Sequence, residues 1–205
     1  MNDLHHSSFI VHRCIMDFID TYLTSLSQSI QNFSRDDLRR VCDALMVAWR
    51  EERTVFIIGN GGSGANASHL CEDLGKGTLH DFEKQKRLKV MSLTDNTPYI
   101  LAWGNDTSYD RVFVEQLKNF AEPGALLIAI SGSGNSPNVV KAIEYANANG
   151  MKTLGVTGYD GGKLQKLAHH NVHVPSHNMG AVESVHSVLF HYLLDTLYEK
   201  FKTIA

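Results

Sequence analysis

The sequence predicts an α/β fold in which helices cover both faces of a parallel sheet. Five short runs of apolar or β-branched residues alternate along the chain with segments of helical periodicity. Consecutive parallel strands need a crossover connection, usually a helix, and strands covered on both faces are apolar throughout. Two of the runs lead directly into turns rich in glycine and serine, as expected where a strand passes into a helix.

The predicted elements begin with two helices. Apolar residues recur at helical spacing over residues 10–30, and Ser34 is a suitable N-cap for a second helix that continues to about Trp49. The strands are then predicted at residues 54–58, 88–93, 125–130, 152–157 and 171–174. Residues 74–87 contain glycines and several charges, which predicts a surface loop, and the last helix is predicted over residues 180–201.

One domain is expected from the length and composition. The chain has 205 residues, of which 43% are hydrophobic, enough for one sizeable core. Residues 1–52 are expected to carry the two N-terminal helices, and residues 53–205 the α/β core with the last helix. No segment has the length of a membrane span and the first residues do not resemble a secretion signal, which predicts a cytoplasmic protein.

Charge and cysteine content disfavour several classes of protein. Nineteen basic residues stand against 22 acidic ones, for a formal net charge of -3. Nucleic acids and membrane surfaces select an excess of basic residues, so neither partner is expected. The cysteines Cys14, Cys42 and Cys71 are odd in number and widely spaced. They predict reduced, packed thiols and neither a disulfide framework nor a zinc ribbon.

Two glycine- and serine-rich turns at predicted strand ends form a candidate anion site. Residues 59–63 read Gly-Asn-Gly-Gly-Ser after the first strand, and residues 131–137 read Ser-Gly-Ser-Gly-Asn-Ser-Pro after the third. Glycines allow close backbone approach, and N–H groups at a helix N-terminus favour a phosphate. Neither turn has the Walker A pattern or the surroundings of a dinucleotide fingerprint, which favours a small phosphorylated metabolite. A purely geometric role of the turns is the alternative.

Histidines and carboxylates recur on two predicted helices. His69 and Asp73 lie four residues apart and therefore share a helix face. On the last helix Glu183, His186 and His191 fall within a face about 140° wide. Imidazole and carboxylate groups are ligands of catalytic zinc, which makes these residues candidate metal ligands. The alternative is that the histidines are packed and hydrogen-bonded without a ligand role.

The order of four motifs resembles the sugar isomerase (SIS) family. The motifs are GNGGS followed by ANASHL, SGSGNSPNVVKAIEYA, GYDGGKLQKLA and VESVHSVLFH. Within the family they are most similar to the phosphoheptose isomerases and to the related DnaA initiator-associating proteins, and the resemblance extends over essentially the whole chain. It implies a doubly wound, five-stranded parallel sheet behind two N-terminal helices. It also implies a homotetramer with active sites between subunits.

The resemblance implies a role for each turn. The serine-rich turn is expected to hold the phosphate of a phosphorylated sugar, through Ser131, Gly132, Ser133 and Ser136. The glycine-rich turn is expected to contact the sugar, through Asn60, Gly61, Gly62 and Ser63. An acidic residue that lies near the sugar in the family aligns with Asp95 or, one position later, with Asn96. Glu183 is also expected close to the substrate.

The resemblance further implies one Zn²⁺ ion per subunit. The expected ligands are His69, Asp73, Glu183 and His191. Asp73 or its neighbour Glu72 is the expected base and His191 the expected acid. His186 matches a family histidine that is usually not a ligand. Two positions depart from the family, because Asp73 replaces a longer glutamate and Glu183 replaces an uncharged glutamine.

Subunit contacts are expected at two places. Residues 100–117 resemble a family helix that packs at a subunit contact, and Trp103 within it is expected to pack rather than to stack on a ligand. On the last helix, apolar residues accompany the polar face and are expected to lie between subunits. They are Val185, Leu189, Leu193 and Leu197.

Two functions follow from the resemblance. The first is aldose–ketose isomerisation of a phosphosugar, sedoheptulose 7-phosphate to D-glycero-D-manno-heptose 7-phosphate, through a metal-assisted enediol. The second is a non-catalytic module that associates with the replication initiator DnaA. A sugar-phosphate-responsive transcription regulator would need a DNA-binding domain, and the sequence before residue 54 is too short and too weakly basic to form one.

Overall fold

The computed structural model describes the backbone of residues 3–204 and the side chains of residues 18–204. Helices and strands alternate after two N-terminal helices. The elements are α1 (Asp3–Asn32), α2 (Arg35–Arg50), β1 (Val55–Gly59), α3 (Gly61–Glu72), β2 (Val90–Ser92), α4 (Thr97–Asp106), α5 (Val114–Phe120), β3 (Leu126–Ser131), α6 (Pro137–Ala148), β4 (Lys152–Thr157), α7 (Gly162–Leu167), β5 (His170–His173) and α8 (Met179–Ile204). A π-helical turn, Asp73–Gly77, extends α3, and a 3₁₀ turn, Tyr109–Arg111, precedes α5.

The described strands form one parallel sheet in the order β2-β1-β3-β4-β5. The chain leaves β1 for β2 on one side and returns to β3 on the other, so the direction of winding reverses between β1 and β3. In open α/β sheets, ligands bind beyond the carboxyl ends of the strands at such a point. Each predicted strand overlaps an observed one, and the predicted doubly wound five-stranded parallel sheet is confirmed.

Helices cover both faces of the sheet, and alternate residues of each central strand face opposite layers. In β1, Val55 and Ile57 belong to the core formed with α2, α3 and α8, whereas Phe56 and Ile58 belong to the core formed with α5 and α6. All four side chains are buried. This burial on both faces explains why the strand reads as a continuous apolar run.

The N-terminal helices pack on the α8 side of the sheet. Ser34 caps α2 as predicted, because its Oγ accepts a hydrogen bond from the Asp37 backbone N–H at 3.2 Å. Helix α1 lies against α8. Cys42 and Cys71 are free thiols, whereas the side chain of Cys14 lies outside the described residues.

The apolar face of α8 is turned into the chain's own core. Val185, Leu189 and Leu193 are buried there together with Leu197, packed on the sheet and on α2. These four side chains are therefore not available for a contact with a second subunit, whereas the expected burial of the long helix between subunits stays a prediction. Periodicity identifies an apolar face on a helix, but it does not distinguish the core of the chain from a contact with a second copy.

Two connections differ from the prediction. The π-helical turn continues α3 as far as Gly77, and Leu74 and Leu79 are buried, so residues 74–87 are not a surface loop throughout. Residues 100–117, which resemble one family helix, are divided between α4, the 3₁₀ turn and α5. Trp103 is half-buried and packs against the core on that face, as expected.

Within residues 3–204, we find no helix that combines the length and apolar character needed to cross a bilayer. The organisation of the whole chain as one domain stays a prediction.

Candidate active site

The glycine-rich turn leads from β1 into α3. Asn60 precedes the helix in an extended conformation, and Gly61 adopts a positive φ of 53° that favours glycine. Ser63 is buried in the first turn. The turn therefore presents the N-terminus of α3 beyond the carboxyl end of β1, which is a position suited to an anion.

The serine-rich turn leads from β3 into α6 and is internally hydrogen-bonded. The Oγ of Ser131 accepts a hydrogen bond from the Gly134 N–H at 3.2 Å and lies 3.4 Å from the Oγ of Ser136. The Oγ of Ser133 accepts from the Asn135 N–H at 3.3 Å. Three hydroxyls thus surround the N-terminus of α6, where backbone N–H groups favour a phosphate.

A third turn, residues 158–163, packs against the serine-rich turn. The Gly158 N–H donates to the Gly132 carbonyl at 2.9 Å, and the Lys163 N–H donates to Oδ1 of Asn135 at 3.2 Å. Gly134 has a positive φ of 65°, and a Cβ at this position would collide with the carbonyl oxygen of Gly161. This turn belongs to the motif GYDGGKLQKLA, so the motif packs against the serine-rich turn.

A cavity of about 190 Å³ lies between the first two turns. It is lined by Asn60, Ser63, Ile130, Ser131, Gly132, Ser133, Ser136, Met179 and Glu183. Most of the substrate-binding residues expected from the resemblance are therefore brought together here. Met179 and Ile130, which add apolar surface, were not anticipated.

Asp95 and Asn96 are not part of the cavity wall formed by the described residues. The carboxylate of Asp95 accepts a hydrogen bond from the Ser68 hydroxyl on α3. The side chain of Asn96 caps α4, because its Oδ1 accepts from the Tyr99 N–H at 3.4 Å. Their expected contact with the sugar stays a prediction.

Three of the expected metal ligands meet where α3 packs against α8. The ligand atoms of His69, Asp73 and His191 lie within 4.8 Å of one another. Oδ2 of Asp73 is 3.6 Å from Nε2 of His69 and 3.9 Å from Nε2 of His191. Asp73 begins the π-helical turn, a distortion that is frequent at functional sites. Gly77 ends this turn, and a Cβ there would lie 2.8 Å from the Leu194 side chain, so the turn lies close against α8.

The carboxylate of Asp73 fits a bound cation. Its Oδ2 is buried, and none of the described residues donates a hydrogen bond to it. Burial raises the pKa of this carboxyl, and the imidazole of His69 opposes the rise. A buried acceptor without a partner is costly. A divalent ion held jointly with the two imidazoles would satisfy it, and imidazole with carboxylate is a donor set that zinc accepts.

Glu183, the fourth expected ligand, lies outside this group of three. Its carboxylate sits against Gly62 at the N-terminus of α3, where a Cβ on Gly62 would collide with it. The positive end of a helix dipole stabilises a carboxylate at such a position. The carboxylate of Glu183 therefore lines the cavity. This position fits its other expected role, as a substrate contact.

Glu72 and His186 do not belong to the group either. Besides burial, the nearby Glu72 carboxylate raises the pKa of the Asp73 carboxyl, whereas His186 lies in the core. The Glu72 carboxylate is exposed and lies 3.7 Å from Nζ of Lys76, one helical turn further on. His186 is completely buried in the core, where its Nε2–H donates to the Thr157 carbonyl at 3.2 Å. Burial lowers the pKa of His186 to about 4, so its imidazole is neutral at pH 7.

Sequence reasoning missed a hydrogen-bond network that joins the two turns. Asn60 and Asn138 exchange both of their amide hydrogen bonds, at 2.8 and 2.9 Å. The Tyr109 hydroxyl donates to Oδ1 of Asn60 at 3.1 Å. The sequence gives one indication of this network: a polar residue, Asn138, directly follows Pro137, which starts the helix. Its burial, and the approach of Tyr109, result from the packing of separate elements.

Comparison with models of known families matches residues 17–158 to the SIS domain. The match covers more than half of the chain. The chain belongs to the SIS domain family.

Relatives of this SIS chain with a named activity match it over most of its length. It is 32% identical to the probable phosphoheptose isomerase of Thermoplasma volcanium, with 92% of this chain and 94% of the relative covered. It is also 32% identical to the phosphoheptose isomerase of Helicobacter pylori, with 98% and 97% covered. These relatives confirm the prediction of an enzyme of the isomerase class.

A solved SIS structure agrees with the observed fold. The structure of a phosphoheptose isomerase from Francisella tularensis has a TM-score of 0.83 and 27% sequence identity, with 90% of this chain and 98% of that chain covered. The predicted family membership and fold are therefore both confirmed.

Proposed function

We propose that this protein isomerises a ketose phosphate to an aldose phosphate, with sedoheptulose 7-phosphate converted to D-glycero-D-manno-heptose 7-phosphate. The observation that carries the proposal is the presence of two sites along α3. Ser63 lines the phosphate cavity, and His69 belongs to the His-Asp-His group six residues later. Six residues of α-helix rise about 9 Å. A ligand that reaches both sites needs a phosphate at one end and reactive carbons at the other.

Asp73 is the proposed base. It removes a proton from the hydroxyl-bearing carbon next to the sugar carbonyl, which leaves an enediolate. A proton then passes from the hydroxyl oxygen to the former carbonyl oxygen, and His191 delivers a proton to the former carbonyl carbon, which gives the aldose. Glu72 is the weaker candidate, because its carboxylate is exposed and lies near Lys76.

His69, Asp73 and His191 are the proposed ligands of a divalent metal, zinc by preference. A zinc ion supplies Lewis-acid polarisation of sugar oxygens. Glu183 faces the cavity and is assigned to the substrate. A module that only associates with the replication initiator would have no use for a buried carboxylate between two imidazoles, so the group favours an enzyme.

An assay of the purified protein with ketose phosphates of five to eight carbons, in which aldose formation is followed, tests the proposal. We expect turnover with sedoheptulose 7-phosphate and slower reaction with shorter ketoses, because these do not reach from the serine-rich turn to Asp73. Absence of turnover with every member of the panel would contradict the proposal.

Ser133→Ala is expected to raise KM for the sugar phosphate about 10- to 100-fold and to leave the fold intact. The substitution removes a hydroxyl from the proposed phosphate site, and hydrogen bonds to charged groups contribute about 1.5–3 kcal/mol. Steady-state kinetics measure KM, and circular dichroism checks the fold. Thr203→Ala, which removes a hydroxyl from the exposed end of α8, serves as the control. An unchanged KM in Ser133→Ala would remove the phosphate assignment.

A homotetramer in the cytoplasm is proposed as the working form. Support comes from exposed apolar side chains on the two long helices, Phe18 and Leu23 on α1 and Val188 and Tyr192 on α8. Large exposed apolar patches on a folded chain are typical of interaction surfaces. Light scattering at micromolar concentration should give the mass of four chains, and the mass of a single chain would refute the assembly.

A further inference from the structure

We propose that Asn138 and Tyr109 position the amide of Asn60 so that it offers the bound sugar one hydrogen-bond donor and no acceptor. The inference rests on the proposed function, because it assumes that a sugar phosphate occupies the cavity. It assigns positioning roles to two residues outside the turns, one of them on the 3₁₀ turn. Asn60 lines the cavity, whereas Asn138 is 1% exposed.

A backbone amide determines the orientation of Asn138. The Val139 N–H is shared: it donates to Oδ1 of Asn138 at 3.0 Å and to the Ser136 carbonyl at 3.1 Å. A backbone N–H can only donate, so the side-chain atom that faces it must be the oxygen and not the nitrogen. The orientation of the Asn138 amide thus follows from the first turn of α6.

The orientation of Asn60 follows from that of Asn138. Nδ2 of Asn60 lies 2.8 Å from Oδ1 of Asn138, and Oδ1 of Asn60 lies 2.9 Å from Nδ2 of Asn138. A flipped Asn60 would place oxygen against oxygen and nitrogen against nitrogen. A flip of Asn138 would turn its NH₂ group toward the Val139 N–H, donor against donor. Both amides are therefore held in one orientation.

Tyr109 completes the set of partners around Asn60. A carbonyl oxygen has two lone pairs. One of those on Asn60 Oδ1 accepts from Asn138, and the other accepts from the Tyr109 hydroxyl at 3.1 Å. The Nδ2 group has two hydrogens, and only one of them has an acceptor among the described residues. Asn60 can therefore give a ligand one N–H and cannot accept a hydrogen bond from it.

This polarity selects the kind of ligand atom that Asn60 contacts. An N–H donor requires an acceptor, such as a sugar carbonyl or a hydroxyl oxygen. An amide held in place before binding also loses little freedom when the ligand arrives. The same network links the start of α3 to the start of α6 across 78 residues of sequence, so it maintains the spacing between the sugar turn and the phosphate turn.

A double-mutant cycle on kcat/KM with sedoheptulose 7-phosphate tests the inference. Tyr109→Phe removes only a hydroxyl from a side chain that is 59% exposed. In the unmodified protein it should lower kcat/KM about three- to tenfold, the effect of one hydrogen bond. In the Asn60→Ala background the same change should have no further effect, because Tyr109 acts through Asn60. An equal loss in both backgrounds would overturn the positioning role.

Two further measurements separate the inference from its alternatives. Tyr99→Phe, which removes the hydroxyl of a half-buried tyrosine hydrogen-bonded to Asn119 on the same face of the sheet, should leave kcat/KM unchanged. The affinity for inorganic phosphate, measured by calorimetry, should be the same in Tyr109→Phe as in the unmodified protein, because the donor serves the sugar. Weaker phosphate binding would indicate a general disturbance of the cavity and would overturn the inference.

Failure of the proposed function gives a different result from failure of the inference. If the unmodified protein neither converts nor binds sedoheptulose 7-phosphate, the proposed function is contradicted and the donor role falls with it. If the unmodified protein is active and Tyr109→Phe is equally active, the function stands and the inference alone is contradicted.

Discussion

His69→Ala and His191→Ala should each lose both the bound divalent metal and the isomerase activity, whereas Asp73→Asn should keep part of the metal and lose turnover by about 10²- to 10⁴-fold. The two imidazoles flank Oδ2 of Asp73, so removal of either leaves too few ligands for a stable site. An asparagine oxygen can still coordinate, but it does not accept a proton as a carboxylate does. Metal content is measured on the purified variants, and kcat is measured in parallel.

A histidine outside the group provides the control for this experiment. His170 is exposed at the start of β5, and His170→Ala should keep both metal and activity. The metal assignment fails if the unmodified protein contains no stoichiometric divalent ion and chelators leave its activity untouched. The histidines would then have acid–base roles alone.

Gly134→Ala should destabilise the protein by about 2–5 kcal/mol and should damage the serine-rich turn. Its φ of 65° is unfavourable for alanine by about 1–2 kcal/mol. In addition, the new Cβ would collide with the Gly161 carbonyl oxygen. Overpacking against backbone that cannot move away costs about 1–3 kcal/mol more. Urea unfolding at fixed protein concentration measures the change in stability.

Gly150→Ala separates the cost of the positive φ from the cost of the steric collision. Gly150 also has a positive φ, of 74°, but a Cβ there would lie 3.6 Å from its nearest neighbour, Cβ of Pro123. It should therefore cost only the conformational part, about 1–2 kcal/mol. Equal destabilisation by the two substitutions would show that the collision between the serine-rich turn and the third turn adds nothing to the loss of stability in Gly134→Ala.

Local sequence patterns were sufficient for the elements and for part of the site. The Ser34 cap depends on a residue three positions away, and the contact of His69 with Asp73 depends on one helical turn. Both turns were located because glycine and serine follow apolar strands in the sequence. Features of this kind involve a few neighbouring residues, so their geometry follows from helix and strand periodicity.

Features that join distant segments could not be predicted from the sequence. The Asn60–Asn138–Tyr109 network depends on how α3, α6 and the 3₁₀ turn pack together. Glu183 shares a helix with His191, yet its carboxylate lies at the start of α3 and not with the other expected ligands. Helical spacing places residues on a common face about 140° wide, but it does not say which of them reach a common point.

By itself, the sequence determined the α/β class, the order of helices and strands, the position of the glycine- and serine-rich turns at two strand ends, and the family resemblance. Each of these is encoded in residues that are near one another or in an ordered set of motifs. Only the tertiary structure decided that the apolar face of α8 belongs to the chain's own core, that His186 is a neutral core residue, and that Asp73 lies buried between two imidazoles. The physical reason is that burial and desolvation depend on which elements pack against each other, and periodicity along one helix carries no information about its neighbour.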